Sequence, residues 1–158
     1  HYDYDVWKLL RGKINNKLKA YVSIVTVQSM SVSSGASLKT DGEITGDNID
    51  IKASSGGVMR AKLKVASLNV DGSSGGVVRL SGTVDNIDIE GSSGSVFDGY
   101  DLVVNTCNAR TSSGAAAEIT ANKEVSGRAS SGGRITFKGT PDLKSKRTSS
   151  GGDVGRKK

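Results

Sequence analysis

Apolar residues recur at every second position in short runs along this chain, and the runs return at a fixed distance. Before five serine-serine-glycine triplets stand Ile49 and Ile51, Leu68 and Val70, Ile87 and Ile89, Cys107 and Ala109, and Val125 and Gly127. Between the members of each pair lie Asp50, Asn69, Asp88, Asn108 and Ser126. After the triplets come Leu38 and Thr40, Met59 and Ala61, Val78 and Leu80, Phe97 and Gly99, Ala117 and Ile119, and Ile135 and Phe137. These pairs enclose Lys39, Arg60, Arg79, Asp98, Glu118 and Thr136. Period-two alternation marks a strand with one buried face. A further apolar stretch follows near Ile44, Val65, Val84 or Val103. Each repeat therefore reads as strand, corner, strand and a third short strand.

The Ser-Ser-Gly triplet occurs seven times, with its glycine at Gly35, Gly56, Gly75, Gly94, Gly114, Gly132 and Gly151, so that corners lie 18 to 21 residues apart. Self-similarity at such a period is the signature of a solenoid. Equivalent positions hold the same chemistry in successive repeats, which places them on top of one another. No 3.6-residue pattern extends past Lys19. The prediction is an all-β chain: a parallel β-helix of six to seven coils, each strand pairing with its equivalent in the next coil. At the corner, glycine supplies positive φ without a Cβ clash, and serine hydroxyls are expected to bond backbone groups where the sheet ladder lapses. The domain reading is one β-helix domain over 1–158, with residues 1–30 as N-terminal strands and cap and 31–158 as the coils.

Composition narrows the chemistry. The chain has 158 residues, 21 glycines, one proline and only 4% aromatics, which suits stacked short strands rather than a thick globular core. Its only cysteine is Cys107 and its only histidine is His1. A Ser-His-Asp or Cys-His centre needs an internal imidazole, and structural zinc needs several thiolates or imidazoles. The expectation is no enzyme, no cofactor and no metal. Asp47, Asn48 and Asp50, and then Asp85, Asn86 and Asp88, form two acidic clusters. One coil offers too few oxygens for the six to eight that calcium takes, so these read as solvated turns. Cys107 shares a column with Ile49 and Leu68 and reads as core.

The net charge is +6, with basic residues at both ends: Lys8, Arg11, Lys13, Lys17 and Lys19, then Lys144, Lys146, Arg147, Arg156, Lys157 and Lys158. Seven aromatics cannot build a base-stacking platform, so nucleic acid is not expected as a partner. Terminal lysines are expected instead to discourage end-to-end pairing of open strand edges. Trp7, Tyr2, Tyr4 and Tyr21 are expected to cap the first coil. Coils of nearly constant length build no groove walls of the kind a polysaccharide-cleaving β-helix uses. The candidate ligand-binding residues are Lys39, Arg60 and Arg79, which share one outward column in three successive coils and could meet an anionic glycan.

The segments "ASSGGRITFKGTPDLKSKRTSSGGDVGRKK" and "SSGAAAEITANKEVSGRASSGG" resemble the family called "putative auto-transporter adhesin, head GIN domain". "KAYVSI" followed by "SMSVSSGASLK" is similar to the start of that family's coil region, so the resemblance covers Lys19 to Lys158. It implies a single-stranded, right-handed β-helix and an exported protein of Bacteroidetes envelopes, in the periplasm, at the outer membrane or on the cell surface. It implies no catalytic residues. It also implies that the front of the family domain is missing and that any membrane association runs through a lipid anchor outside this chain. The expected role is a non-catalytic adhesin or surface-interaction module, its partner a glycan or another envelope or host protein; the alternatives are a structural scaffold that binds another protein and, third, a glycan-active β-helix enzyme. Ligand and oligomeric state are not legible.

Overall fold

The computed structural model describes residues 19–23 and 26–157. Strand β1 is Ser29–Val32, β2 Ser37–Ala53, β3 Val58–Gly72, β4 Val77–Gly91, β5 Val96–Thr111, β6 Ala116–Ala129, β7 Arg134–Lys138, β8 Asp142–Thr148 and β9 Asp153–Arg156. From β2 to β6, one bent strand fills the whole interval between corners. All pairings are parallel, in the order β1-β2-β3-β4-β5-β6-β7-β9, with β8 continuing on β6. The result is a β-solenoid in which each coil hydrogen-bonds only to the coils above and below. The penultimate coil alone splits into two strands, β7 and β8. Between them lie Gly139, at φ 93°, and Pro141, which has no amide hydrogen to give the ladder.

Register confirms the inward columns. Ile49 pairs with Leu68, Leu68 with Ile87, Ile87 with Cys107 and Cys107 with Val125, and all five side chains are buried. Met30, Ile51, Val70, Ile89 and Ala109 form a second buried column. Met59, Val78, Phe97, Ala117, Ile135 and Val154 form a third. The third apolar stretch is partly corrected. Ile44 pairs with Leu63 rather than Val65, and Val84 pairs with Val104 rather than Val103. Val104 is fully buried, whereas Val103 is 37% exposed. The cause is one extra residue in β5 at Gly99–Tyr100: Arg79 pairs with Asp98, but Ser81 pairs with Asp101. One added residue reverses the alternation. The two extra residues between Lys39 and Glu43 shift Ile44 along onto Leu63 but, being an even number, leave the alternation of faces intact.

The corner differs from its expected chemistry. Positive φ falls on two successive residues: 47–55° at the second serine of every triplet and 71–76° at the glycine. The first serine's carbonyl accepts the amide of the residue after the glycine, as in Gly57 N to Ser54 O at 2.8 Å and Gly76 N to Ser73 O at 2.8 Å. Positive φ at both central positions with this bond is a type I′ turn. Each glycine amide then donates to the second serine's carbonyl one coil on, from Gly35 N to Ser55 O at 3.0 Å through to Gly132 N to Ser150 O at 3.1 Å. The backbone ladder therefore runs unbroken through the corner, and serine hydroxyls are not needed to replace it.

Inside the corner, successive coils share space for a single side chain. A Cβ on Gly57 would stand 2.7 Å from the Val32 carbonyl oxygen, one on Gly76 would stand 2.2 Å from that of Ala53, and one on Gly152 would stand 2.2 Å from that of Ala129. Where the equivalent residue does carry a side chain, as at Ser95 and Ala115, the residue opposite in the preceding coil is Gly72 or Gly91. This reciprocity yields a test. Gly76→Ala should cost about 2 kcal/mol or more through overpacking. The change Ala53→Gly made together with it should recover part of that loss, a coupling that chemical denaturation of the four members of the cycle would measure. Purely additive costs would show that the corner is not shared.

Candidate functional site

The outward faces carry the polar chemistry. On the strand segment after each corner, Lys39 pairs with Arg60 and Arg60 with Arg79, so the structure brings the three expected residues into register. The column continues through Asp98, Glu118 and Thr136. Its charge is partly compensated: Arg79 Nε lies 3.7 Å from Asp98 Oδ2, and nearby Lys62 Nζ lies 3.4 Å from Glu43 Oε1. An open hollow of about 320 Å³ runs along Lys39, Arg60 and Arg79 to Asp98 and Asp101.

Two positions nearer the corner, and on the same face, stands a column absent from the sequence reading. Val58 pairs with Val77, Val77 with Val96 and Val96 with Ala116. Val96 is 38% exposed and the other three are partly exposed. The available signal was the valine two residues past the glycine in three consecutive coils. This face therefore presents an apolar ribbon beside a charged one, both at the coil spacing of about 4.8 Å.

The strand segment before each corner is a second flat face. Asn69 Nδ2 donates to Asp50 Oδ1 at 2.8 Å, Asn108 Nδ2 to Asp88 Oδ1 at 2.7 Å, and Asn105 Nδ2 to Asp85 Oδ1 at 2.9 Å. Carboxylates of both acidic clusters are thus held by amides one coil on. Among the described residues, no three His, Cys, Asp or Glu side chains gather as a metal site would require.

At the ends, Lys144 lies 3.4 Å from Glu124 and 3.6 Å from Asp142, and the ammonium groups of Lys138 and Lys157 each sit 4.2 Å from the Tyr100 ring centre. Burial pushes the Tyr100 phenol above its ordinary range, with the carboxylates of Glu118 and Asp98 adding to the effect. Tyr21 is 87% exposed and does not cap the first coil. The other expected capping residues, Trp7, Tyr2 and Tyr4, lie outside the described residues, as do Lys8, Arg11, Lys13, Lys17 and Lys158.

Cys107 is core, as expected. Burial, reinforced by the Asp88 carboxylate, pushes its thiol far above the ordinary range. The folded chain thus holds a proton that the unfolded chain releases near the usual thiol pKa of about 8.5. Stability should be unaffected by this group below that pH and should fall as pH rises above it. A thiol reagent should label Cys107 only on unfolding, and Cys107→Ala should flatten the decline in stability between about pH 8 and 10. Rapid labelling of the folded protein would contradict its burial.

Residues 8–141 match the family model described as "Putative auto-transporter adhesin, head GIN domain". Two solved structures share the fold. A putative adhesin from Bacteroides fragilis superposes with a TM-score of 0.70 at 21% identity, over 82% of this chain and 59% of that one. A putative lipid-binding protein from Parabacteroides distasonis superposes with a TM-score of 0.58 at 13% identity, over 83% of this chain and 62% of that one. The chain thus spans about three-fifths of the length of each. No curated protein matches it.

Proposed function

The chain belongs to the auto-transporter adhesin, head GIN domain family, and from that premise we propose that it is a non-catalytic surface-interaction module of a bacterial envelope. The observation that carries this reading is the face after the corners, where Val58, Val77 and Val96 lie in register beside Lys39, Arg60 and Arg79. An apolar strip bordered by charge is the composition of a protein-protein contact. Basic residues followed by Asp98 and Glu118 give the strip a direction, because a partner must present acids and then bases in that order. The partner is another envelope or host protein, and Lys39, Arg60 and Arg79 contact its acidic groups. Two features support a binding role over a catalytic one. The only internal thiol is buried, and the names of both solved relatives describe binding. Exported placement in the envelope completes the reading.

Labelled protein applied to bacterial and host cells provides the test. Binding should fall after protease treatment of the cells, and with Val77→Asp or the triple change Lys39→Ala, Arg60→Ala and Arg79→Ala. It should also weaken with salt, since exposed charges are screened beyond about 10 Å at 0.1 M. Binding that survives protease but is lost after glycan removal would replace the protein partner with a glycan. Binding indifferent to both variants would remove this face from the account.

A further inference from the structure

The face before the corners changes character halfway along the rod. In the last three coils the sequence reads "NARTS" at 108–112, "SGRAS" at 126–130 and "SKRTS" at 145–149. With period two, each coil turns one arginine outward, with a neutral amide or hydroxyl on one side and the first corner serine on the other. The structure holds these positions in register: Arg110 pairs with Arg128 and Arg128 with Arg147, while Asn108 pairs with Ser126 and Ser126 with Ser145. A hollow of about 180 Å³ lies between the two columns.

Arg110 reaches back to Glu90 at 3.0 Å. Neither Arg128 nor Arg147 has a carboxylate within ion-pair distance among the described residues. Like charges at neighbouring ladder positions repel, so the row holds an unfavourable arrangement that an anion would relieve. Further down the same column stand Glu90 and Asp71, which would repel an anion and so mark where the row ends.

We propose that this row is a binding site for a linear acidic polysaccharide carrying one carboxylate per sugar. The planar guanidinium matches a carboxylate with two parallel hydrogen bonds. The coil spacing of about 4.8 Å is close to the length of one sugar, so adjacent arginines meet adjacent carboxylates. Hydroxyls and amides flanking each arginine face the sugar hydroxyls. The site is three coils long and takes three sugars. It lies on a different face from Lys39 and stands independently of the protein contact proposed above.

Oligogalacturonates of one to five sugars, titrated calorimetrically into the whole chain, provide the probe. Affinity should climb by about tenfold or more from one sugar to three and then level off. Arg128→Ala with Arg147→Ala should remove at least about tenfold of the trimer affinity, and the corresponding pair of lysine changes should remove most of it, because a lysine has no fork. Lys39→Ala with Arg60→Ala should leave trimer binding unchanged. Thermal melts of each variant establish that it is folded. The proposal is overturned by absence of trimer binding, by affinity that keeps rising past three sugars, by full binding in the lysine variant, or by dextran sulfate binding as well as the trimer.

Discussion

A backbone that must turn a corner without breaking its hydrogen-bond ladder is the constraint on which everything else in this solenoid rests. Two successive residues in the left-handed region close the turn, and they also aim the glycine amide at the serine carbonyl one coil on, at 3.0–3.1 Å. Serine pays a modest conformational cost to adopt φ near 48°, which only glycine takes freely. A ladder bond on each side of that serine holds it there. The repeated triplet is thus the condition for stacking, since a coil with a different corner would leave its neighbours' amide and carbonyl unpaired.

Stacking then fixes the faces. Once corners superpose, every residue at a given distance from a corner is placed about 4.8 Å from its equivalents. Inward columns fill with aliphatics and with the one cysteine. Outward columns become linear arrays: asparagine against aspartate, arginine against arginine, valine against valine. The hollows along these two faces are shallow and open, which suits partners that are flat or periodic. Among the described residues the buried polar side chains are Ser95 and Thr111, so the polar chemistry lies almost wholly in the outward columns.

Much of this was legible from periodicity. The parallel stack, the Ile49 to Val125 column and the register of Lys39, Arg60 and Arg79 follow from counting outward from each triplet. What failed did so at coils of unequal length. The extra residue at Gly99–Tyr100 turned Val103 outward and Val104 inward, and nothing local to those valines signals it. Positive φ on the second serine was missed because serine rarely adopts it, and only the stacked carbonyl explains why it does here. The valine column escaped because partly exposed valine looks like core when its turn position is not counted.

The central claim, that the ladder continues through the corners, is tested most directly by hydrogen exchange at the corner glycines. If Gly56, Gly75, Gly94 and Gly114 donate to the next coil as described, their amides should be protected to the same degree as those of Leu68 or Ile87 within the strands, and should exchange only with global unfolding. Exchange at the rate of an open turn at these glycines, with the strand amides still protected, would contradict the account.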